Sequence, residues 1–251
     1  MTSTPRIALM VTCLVDMIRP SVGFASVKLL EDAGCMVEVP EQTCCGQPNY
    51  NSGDREGAAV LARRMISALK GYDYVVVPSG SCAATVIKDY PQILADSADE
   101  EDAKELASRT HEIVSFLTDV LKVEQVTSAF PAHATYHDSC SGLRSLGVQA
   151  QPRKLLNSVD GLNLTEMHEA DVCCGFGGTF CVKYPEISNK MVGNKPDRIA
   201  ETGAELVLAG DLGCLMNMGG KLSREGKPIQ ARHVVEVLAG DTATPAIGEE
   251  Q

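Results

Sequence analysis

The sequence predicts an α/β protein of two repeated Rossmann-like lobes, each with a small parallel sheet, related by pseudo-twofold symmetry. Three observations predict it. First, eight of the ten cysteines fall into two matching sets. Cys13 is followed after 30 residues by Cys44-Cys45-Gly46, and after 35 more by Cys82. Cys140 is followed after 32 residues by Cys173-Cys174-Gly175, and after 38 more by Cys214. The same order with loop-sized differences in spacing marks an internal repeat. Second, the flanking text repeats: "RIALMVTC" matches "HATYHDSC", and "YDYVVVPSGSC" matches "AELVLAGDLGC". Third, helical patterns separate the β-prone runs, and strands alternating with helices build parallel sheets.

Taken in order, "RIALMVTC" is a first strand that delivers Cys13. Residues 21–33 carry apolar side chains at three- and four-residue steps and stop at Gly34, a helix with a glycine terminator. "CMVEVPEQTCCG" is a second strand leading to the first cysteine pair. Residues 51–70 open on the cap-type run "NSGD" and close at Gly71, a second helix. A third strand ends at Cys82, and "THEIVSFLTDVL" reads as a closing helix. The second half repeats this scheme with helices over 152–158 and 185–202, the latter broken by Pro196, and a closing helix in "ARHVVEVLAG". His111 and His233 occupy matching places in those closing helices, which suits a repeated structural role. The lobes are expected at residues 6–126 and 132–240. The acidic run at 95–105 reads as the join between the lobes, a solvated helix start or loop, and residues 1–5 and 241–251 as loose ends.

Composition narrows the function. A formal net charge of −11 excludes a general nucleic-acid or anionic-membrane surface, which needs a basic face. Trp is absent and aromatics make up 4% of the chain, so base-stacking platforms are not expected. No apolar run approaches the ~20 residues of a membrane span. The opening "MTSTPRIALMVTC" lacks the features of a signal peptide, which suggests the cytoplasm. In a reducing compartment ten cysteines point to metal or redox chemistry rather than disulfides.

Ligands of an open parallel sheet bind beyond the carboxyl ends of its strands. Each cysteine element follows a predicted strand. Cys13, Cys44, Cys45 and Cys82 should therefore meet at one sheet edge, and Cys140, Cys173, Cys174 and Cys214 at the other. Four thiolates at one point need a metal, either tetrahedral zinc or an iron–sulfur cluster. Side chains of adjacent residues diverge, so they chelate one ion poorly but can reach different irons of a cluster. Zinc sites favour Cys-x2–4-Cys knuckles, which are missing here. Gly46, Gly175, Gly177 and Gly178 allow close backbone approach, and their N–H groups can bond to sulfur; plain tight turns are the alternative.

The phrases "TCLVD", "EQTCCGQP", "PSGSC" and "CCGFGGTF", with the doubled cysteine pattern, resemble lactate-utilisation members of the CCG (cysteine-rich) domain family over residues 6–239. That family includes the B subunit of heterodisulfide reductase and the iron–sulfur subunits of glycolate oxidase and anaerobic glycerol-3-phosphate dehydrogenase. The resemblance implies an iron–sulfur oxidoreductase subunit of a three-protein complex that oxidises L-lactate, or a similar 2-hydroxy acid, to pyruvate. Its partners would be the other subunits, including a ferredoxin-like iron–sulfur subunit. The fullest family pattern ends each half in Cys-x-x-Cys. Here the halves end in Cys82-Ala83-Ala84-Thr85 and Cys214-Leu215-Met216-Asn217. Four thiols per lobe suit two ordinary [4Fe–4S] clusters. Heterodisulfide reduction, which the resemblance ties to a fifth thiol, is the alternative, and a structural zinc scaffold is a third.

The remaining candidates divide as follows. Cys35 has no counterpart in the second half and reads as a small buried hydrophobe. Cys181 lies seven residues after Cys174 and is either core or a reactive thiol. His137 either packs and caps or hydrogen-bonds near the second centre. Arg144 and Lys183 either bind a carboxylate or face solvent. Met216 and Met218 read as packing. The glycine-rich run and Lys183 suggest that the second centre is the more exposed. The catalytic residues are not identifiable from the sequence. No strand–GxGxxG–helix unit supplies a hydride acceptor, so carbon oxidation involves partners.

Overall fold

A computed structural model describes residues 4–249. The chain divides into two compact units between Val123 and Glu124.

The first unit opens with β1 (Arg6–Leu9), α1 (Cys13–Ile18), α2 (Pro20–Asp32) and β2 (Met36–Glu38). It continues with α3 (Gln47–Asn51), α4 (Arg55–Ala68), β3 (Tyr74–Val77) and α5 (Gly80–Ala84). A π-helical stretch (Thr85–Asp89), α6 (Tyr90–Ile93), α7 (Glu100–Ser108) and β4 (Thr110–Glu112) follow, then α8 (Ile113–Ser115). The four strands pair in the order β2-β1-β3-β4, all parallel. Ile7, Ala8, Leu9, Val75, Val76 and Val77 are all fully buried. Such unbroken apolar runs are what a parallel sheet covered on both faces requires. Helix α4 starts at Asp54, whose carboxylate accepts from Gly57 N–H at 2.9 Å. It buries Ala58, Ala62, Met65 and Ile66, one stripe of a 3.6-residue period.

The second unit repeats the plan: β5 (Ala129–Tyr136), α9 (Cys140–Leu146), α10 (Ala150–Leu156) and β6 (Asp160–Leu164). Then come α11 (Phe180–Lys183), α12 (Pro185–Val192), α13 (Lys195–Glu201), β7 (Leu206–Ala209), α14 (Leu212–Arg224), β8 (Gln230–His233) and α15 (Val234–Leu238). Its sheet has the parallel order β6-β5-β7-β8. The expected helix over 185–202 is two helices. The break falls at Gly193-Asn194, and Pro196 sits in the first turn of α13, where its missing N–H costs nothing.

Four expectations are corrected. The closing helices are preceded by strands: Thr110–Glu112 and Gln230–His233 pair beside β3 and β7 before the chain turns helical, so each sheet has four strands. The histidines are not equivalent. His111 pairs with Val76 and His233 with Ala209, one position further along, so Glu112 is the counterpart of His233. The acidic run is the helix start the sequence allows, but it is no join: it opens α7 inside the first unit, with Ala103 and Leu106 buried. The end of the chain is docked through residue 249. Ala246 is buried, and Ile247 N–H donates to Ala231 O at 2.9 Å, because the free edge of β8 offers a carbonyl that a passing strand can use. Of the expected N-terminal loose end, residues 1–3 lie outside the described residues, and Pro5 O accepts from Met36 N–H at 3.0 Å.

Candidate metal centres

Helix starts position half of the eight thiols. Cys13 and Cys140 are the first residues of α1 and α9, and Cys82 and Cys214 the third residues of α5 and α14. A helix start leaves backbone N–H groups free to meet an anionic ligand. The adjacent pairs follow β2 and β6, and each ends in a left-handed glycine, Gly46 at φ 84° and Gly175 at φ 78°. That turn aims a backbone donor at sulfur. Gly46 N–H points to Cys44 Sγ at 3.5 Å, and Gly175 N–H to Cys173 Sγ at 3.4 Å.

The four thiols of each lobe converge beyond the carboxyl ends of its strands. In the first lobe Cys13 Sγ is 3.8 Å from Cys44 Sγ, and Cys45 Sγ is 3.4 Å from Cys82 Sγ. In the second, Cys174 Sγ is 2.9 Å from Cys214 Sγ, and Cys140 and Cys174 both donate to Cys173. Thiol donation from Cys13, then Cys45, pulls the Cys44 thiol down to about 2, with Gly46 N–H assisting against the opposing effect of burial. Donation from Cys140, then Cys174, does the same to Cys173, again to about 2. The donors Cys13, Cys45, Cys140 and Cys174 are pushed up by the same contacts and by burial. The first thiol of each pair is thus drawn toward the thiolate while its donors are held protonated, and further thiolates at the same point need a cation among them. This donor set fits a metal or metal–sulfur centre.

Comparison with known proteins agrees. A profile of the cysteine-rich domain (CCG) matches residues 7–87 and 134–219. The chain belongs to the CCG cysteine-rich domain family. Lactate utilization protein A of Geobacillus thermodenitrificans is 49% identical over 235 residues, covering 93% of this chain and 98% of that protein. The protein of the same name from Bacillus subtilis is 48% identical with the same coverage. A hypothetical protein from Helicobacter pylori, solved as a crystal structure, is 12% identical with a TM-score of 0.62 and shares the fold. The match takes in 98% of this chain but only 50% of that one.

Around its thiols this CCG protein holds the second cysteine of each pair by a tether. Tyr90, fully buried, donates to Cys45 O at 2.8 Å. Asn217 donates to Cys174 O at 2.7 Å. The family's final thiol would stand at Thr85 and Asn217. Thr85 Oγ1 bonds Ser81 O at 3.1 Å, so both residues serve the backbone.

The second lobe has two further buried polar groups. His137 is fully buried, and neither ring nitrogen meets a partner at normal hydrogen-bond geometry, although the Ala170 carbonyl lies close enough to favour the protonated ring. A ring nitrogen and the sulfurs of Cys174 and Cys214 all lie within 4.8 Å of one another. Burial, reinforced by the Lys195 charge, pulls the His137 imidazole down to about 3. Lys195 is 2% exposed and donates to Glu169 O at 2.6 Å. Burial lowers its ammonium, while the Cys174 and Cys214 sulfurs draw it back up. Sequence reasoning missed Lys195, Tyr90 and Asn217. Lys195 did leave a signal: a lysine at the first position of a helix opposes the dipole and needs another reason to be there.

Other candidates fall away from the thiols. Gly177 and Gly178 are both left-handed and form a turn whose carbonyls are engaged. Gly177 O accepts from Phe180 N–H at 3.2 Å, and Gly178 O from the Cys181 thiol at 3.8 Å. Cys35 is buried, and burial raises its thiol. Arg144 donates to Asp171 O at 3.3 Å on the surface, and Lys183 is exposed. Met218 is core, and Met216 is half-buried. His111 packs against Tyr74 and Phe116, and His233 caps α15. The second lobe's thiols are not the more exposed: Cys214 is 6% exposed while Cys82 is half-buried, and the Phe176 ring lies against the neighbouring Gly213. A cleft of about 300 Å³ instead opens beside Cys13 and Cys44. Among the described residues no helix is long and apolar enough to cross a membrane.

Proposed function

We propose that the protein is an iron–sulfur redox subunit of a complex that oxidises L-lactate, or a similar 2-hydroxy acid, to pyruvate. The observation that carries this reading is the convergence of four thiols in each lobe, joined to near-full-length similarity to proteins named for lactate utilization. Each lobe, residues 6–126 and 132–240, is one cluster-binding unit. Cys13, Cys44, Cys45 and Cys82 hold one [4Fe–4S] cluster, and Cys140, Cys173, Cys174 and Cys214 the other. Bound clusters supply one-electron transfer. Gly46 and Gly175 donate N–H groups to sulfur, and such bonds favour the reduced state. Tyr90 and Asn217 fix the carbonyls of Cys45 and Cys174 so that adjacent thiols diverge toward different irons. The chain works in the cytoplasm with other subunits of the complex, including a ferredoxin-like iron–sulfur protein that receives the electrons. Heterodisulfide reduction has less support: Thr85 and Asn217 are committed to backbone carbonyls, and the Cys181 thiol turns to Gly178 O.

Reconstitution without oxygen tests the reading. The chain combined with its partner subunits should form pyruvate from L-lactate with reduction of an added acceptor. Omitting the chain should abolish that activity. An unchanged rate in its absence contradicts the proposal.

A further inference from the structure

The two lobes can be compared position by position at the strand that leads to the first thiol. Met10 N–H donates to Val76 O at 2.9 Å, and His137 N–H to Leu208 O at 2.8 Å. Both residues lie three positions before a ligand cysteine, Cys13 or Cys140, and both are fully buried. One is a thioether with no donor. The other is an imidazole whose ring nitrogens make no well-formed hydrogen bond, with the Ala170 carbonyl nearby, and which lies near the sulfurs of Cys174 and Cys214. A buried imidazole N–H without a well-formed bond is destabilising until an acceptor is supplied. A ring nitrogen this close to two sulfurs, with only the Ala170 carbonyl acting on it from the backbone, is placed to donate to what the sulfurs hold. Four thiols already complete the coordination of a cubane, so the ring is not needed as a ligand. In either protonation state it carries at least one N–H.

We propose that His137 donates a ring N–H to a sulfur of the second lobe's centre and raises that centre's reduction potential, a function that Met10 cannot serve in the first lobe. Donation to cluster sulfur stabilises the more negative, reduced state. The inference rests on the iron–sulfur reading above. His137 is a tuning residue that acts through the cluster. Lys195 acts in the same direction, and the Asp211 carboxylate, which raises the Cys214 thiol, acts against both. The effect is therefore read by changing His137 alone.

The test is a redox titration, followed by electron paramagnetic resonance, of the full chain purified without oxygen, unmutated and as His137→Met and His137→Asn. His137→Met places the first lobe's residue in the second. It should keep the full iron content and make one of the two centres about tenfold harder to reduce, a fall of ~59 mV for a one-electron step. The other centre should not move. His137→Asn retains an N–H and should recover part of the shift. A second measurement needs no variant: in unmutated protein labelled with 15N-histidine, pulsed resonance should show one histidine nitrogen weakly coupled to one reduced centre. Full iron with both potentials unchanged in His137→Met overturns the role of His137 alone, as does the absence of any histidine coupling. Strong coupling typical of direct coordination, or loss of the second centre's iron from folded His137→Met, overturns it too by making the ring a ligand. Absence of iron and sulfide from the unmutated protein sinks the iron–sulfur reading, and this inference with it.

Discussion

The first and second lobes share their backbone solution and differ in the side chains around it. Both use the same parallel strand order, set thiols on helix starts, and turn a left-handed glycine so that its N–H meets the first sulfur of the pair. The second thiol's carbonyl is tethered in both, by Tyr90 in one and Asn217 in the other. Beside the last thiol stands Gln47, bonded to Ser81 O at 3.5 Å, or Phe176, laid on Gly213. Met10 faces His137 across the comparison. A thiol frame made by main-chain geometry allows its surroundings to diverge. Those surroundings set access and potential, so two sites of one design can do unequal work.

Removing thiols should break the comparison most completely. Cys44→Ser with Cys45→Ser should halve the iron content and leave the second lobe folded. Cys173→Ser with Cys174→Ser should do the reverse. Loss of all iron in either variant would show that the lobes share one centre. Iron analysis and circular dichroism read both results.

Next in size is a pH effect confined to the first lobe. Glu112 is fully buried, and burial pushes its carboxyl up to about 7, against hydrogen bonds from the Ser115 and Val114 backbone. In the unfolded chain it titrates near 4.5. Between these values the folded state holds the proton that the unfolded state has released. Stability therefore falls as pH rises through that window, by about 3 kcal/mol in all. Glu112→Gln should flatten this slope in denaturation measured at pH 5 and pH 8. An unchanged slope would contradict the assignment. The second lobe has His233 at the matching position and lacks this carboxylate.

Glycine substitutions sharpen the comparison on a smaller scale. Gly46→Ala and Gly175→Ala both force alanine to positive φ, at about 1–2 kcal/mol. Only at position 175 would the Cβ also come within 2.9 Å of the Ser188 carbonyl oxygen; at 46 the nearest atom is 3.4 Å away. Gly175→Ala should be the more destabilising in chemical denaturation, and equal losses would contradict the packing difference. The smallest effect is expected from Cys35→Ser and Cys181→Ser, which should leave iron content and cluster absorbance unchanged.

The duplicated cysteine spacing was enough to place all eight thiols and the strands before them, because ligand loops of a parallel sheet lie at one edge whatever the helices do. The fourth strands were hidden. "THE" and "ARH" are too short to show alternation, and they pair only because β3 and β7 offer an open edge. The docked end of the chain was hidden for the same reason. Gly177 and Gly178 looked like sulfur donors because glycine permits close approach, but the same freedom serves a turn equally well. Tyr90 and Asn217 follow Cys82 and Cys214 closely, but they reach the carbonyls of Cys45 and Cys174, 45 and 43 residues away, only through packing, as does Lys195 its carbonyl at Glu169. His137 was visible by its nearness to Cys140. That its nitrogens lie near two sulfurs with no well-formed hydrogen bond could be known only from the fold.

The central claim, that each lobe holds its own iron–sulfur cluster on four thiols, is tested most directly by metal and acid-labile sulfide analysis of the chain purified without oxygen. The account predicts about eight irons and eight sulfides per chain, with negligible zinc. Stoichiometric zinc without sulfide, or about four irons that neither pair of cysteine substitutions reduces, would contradict it.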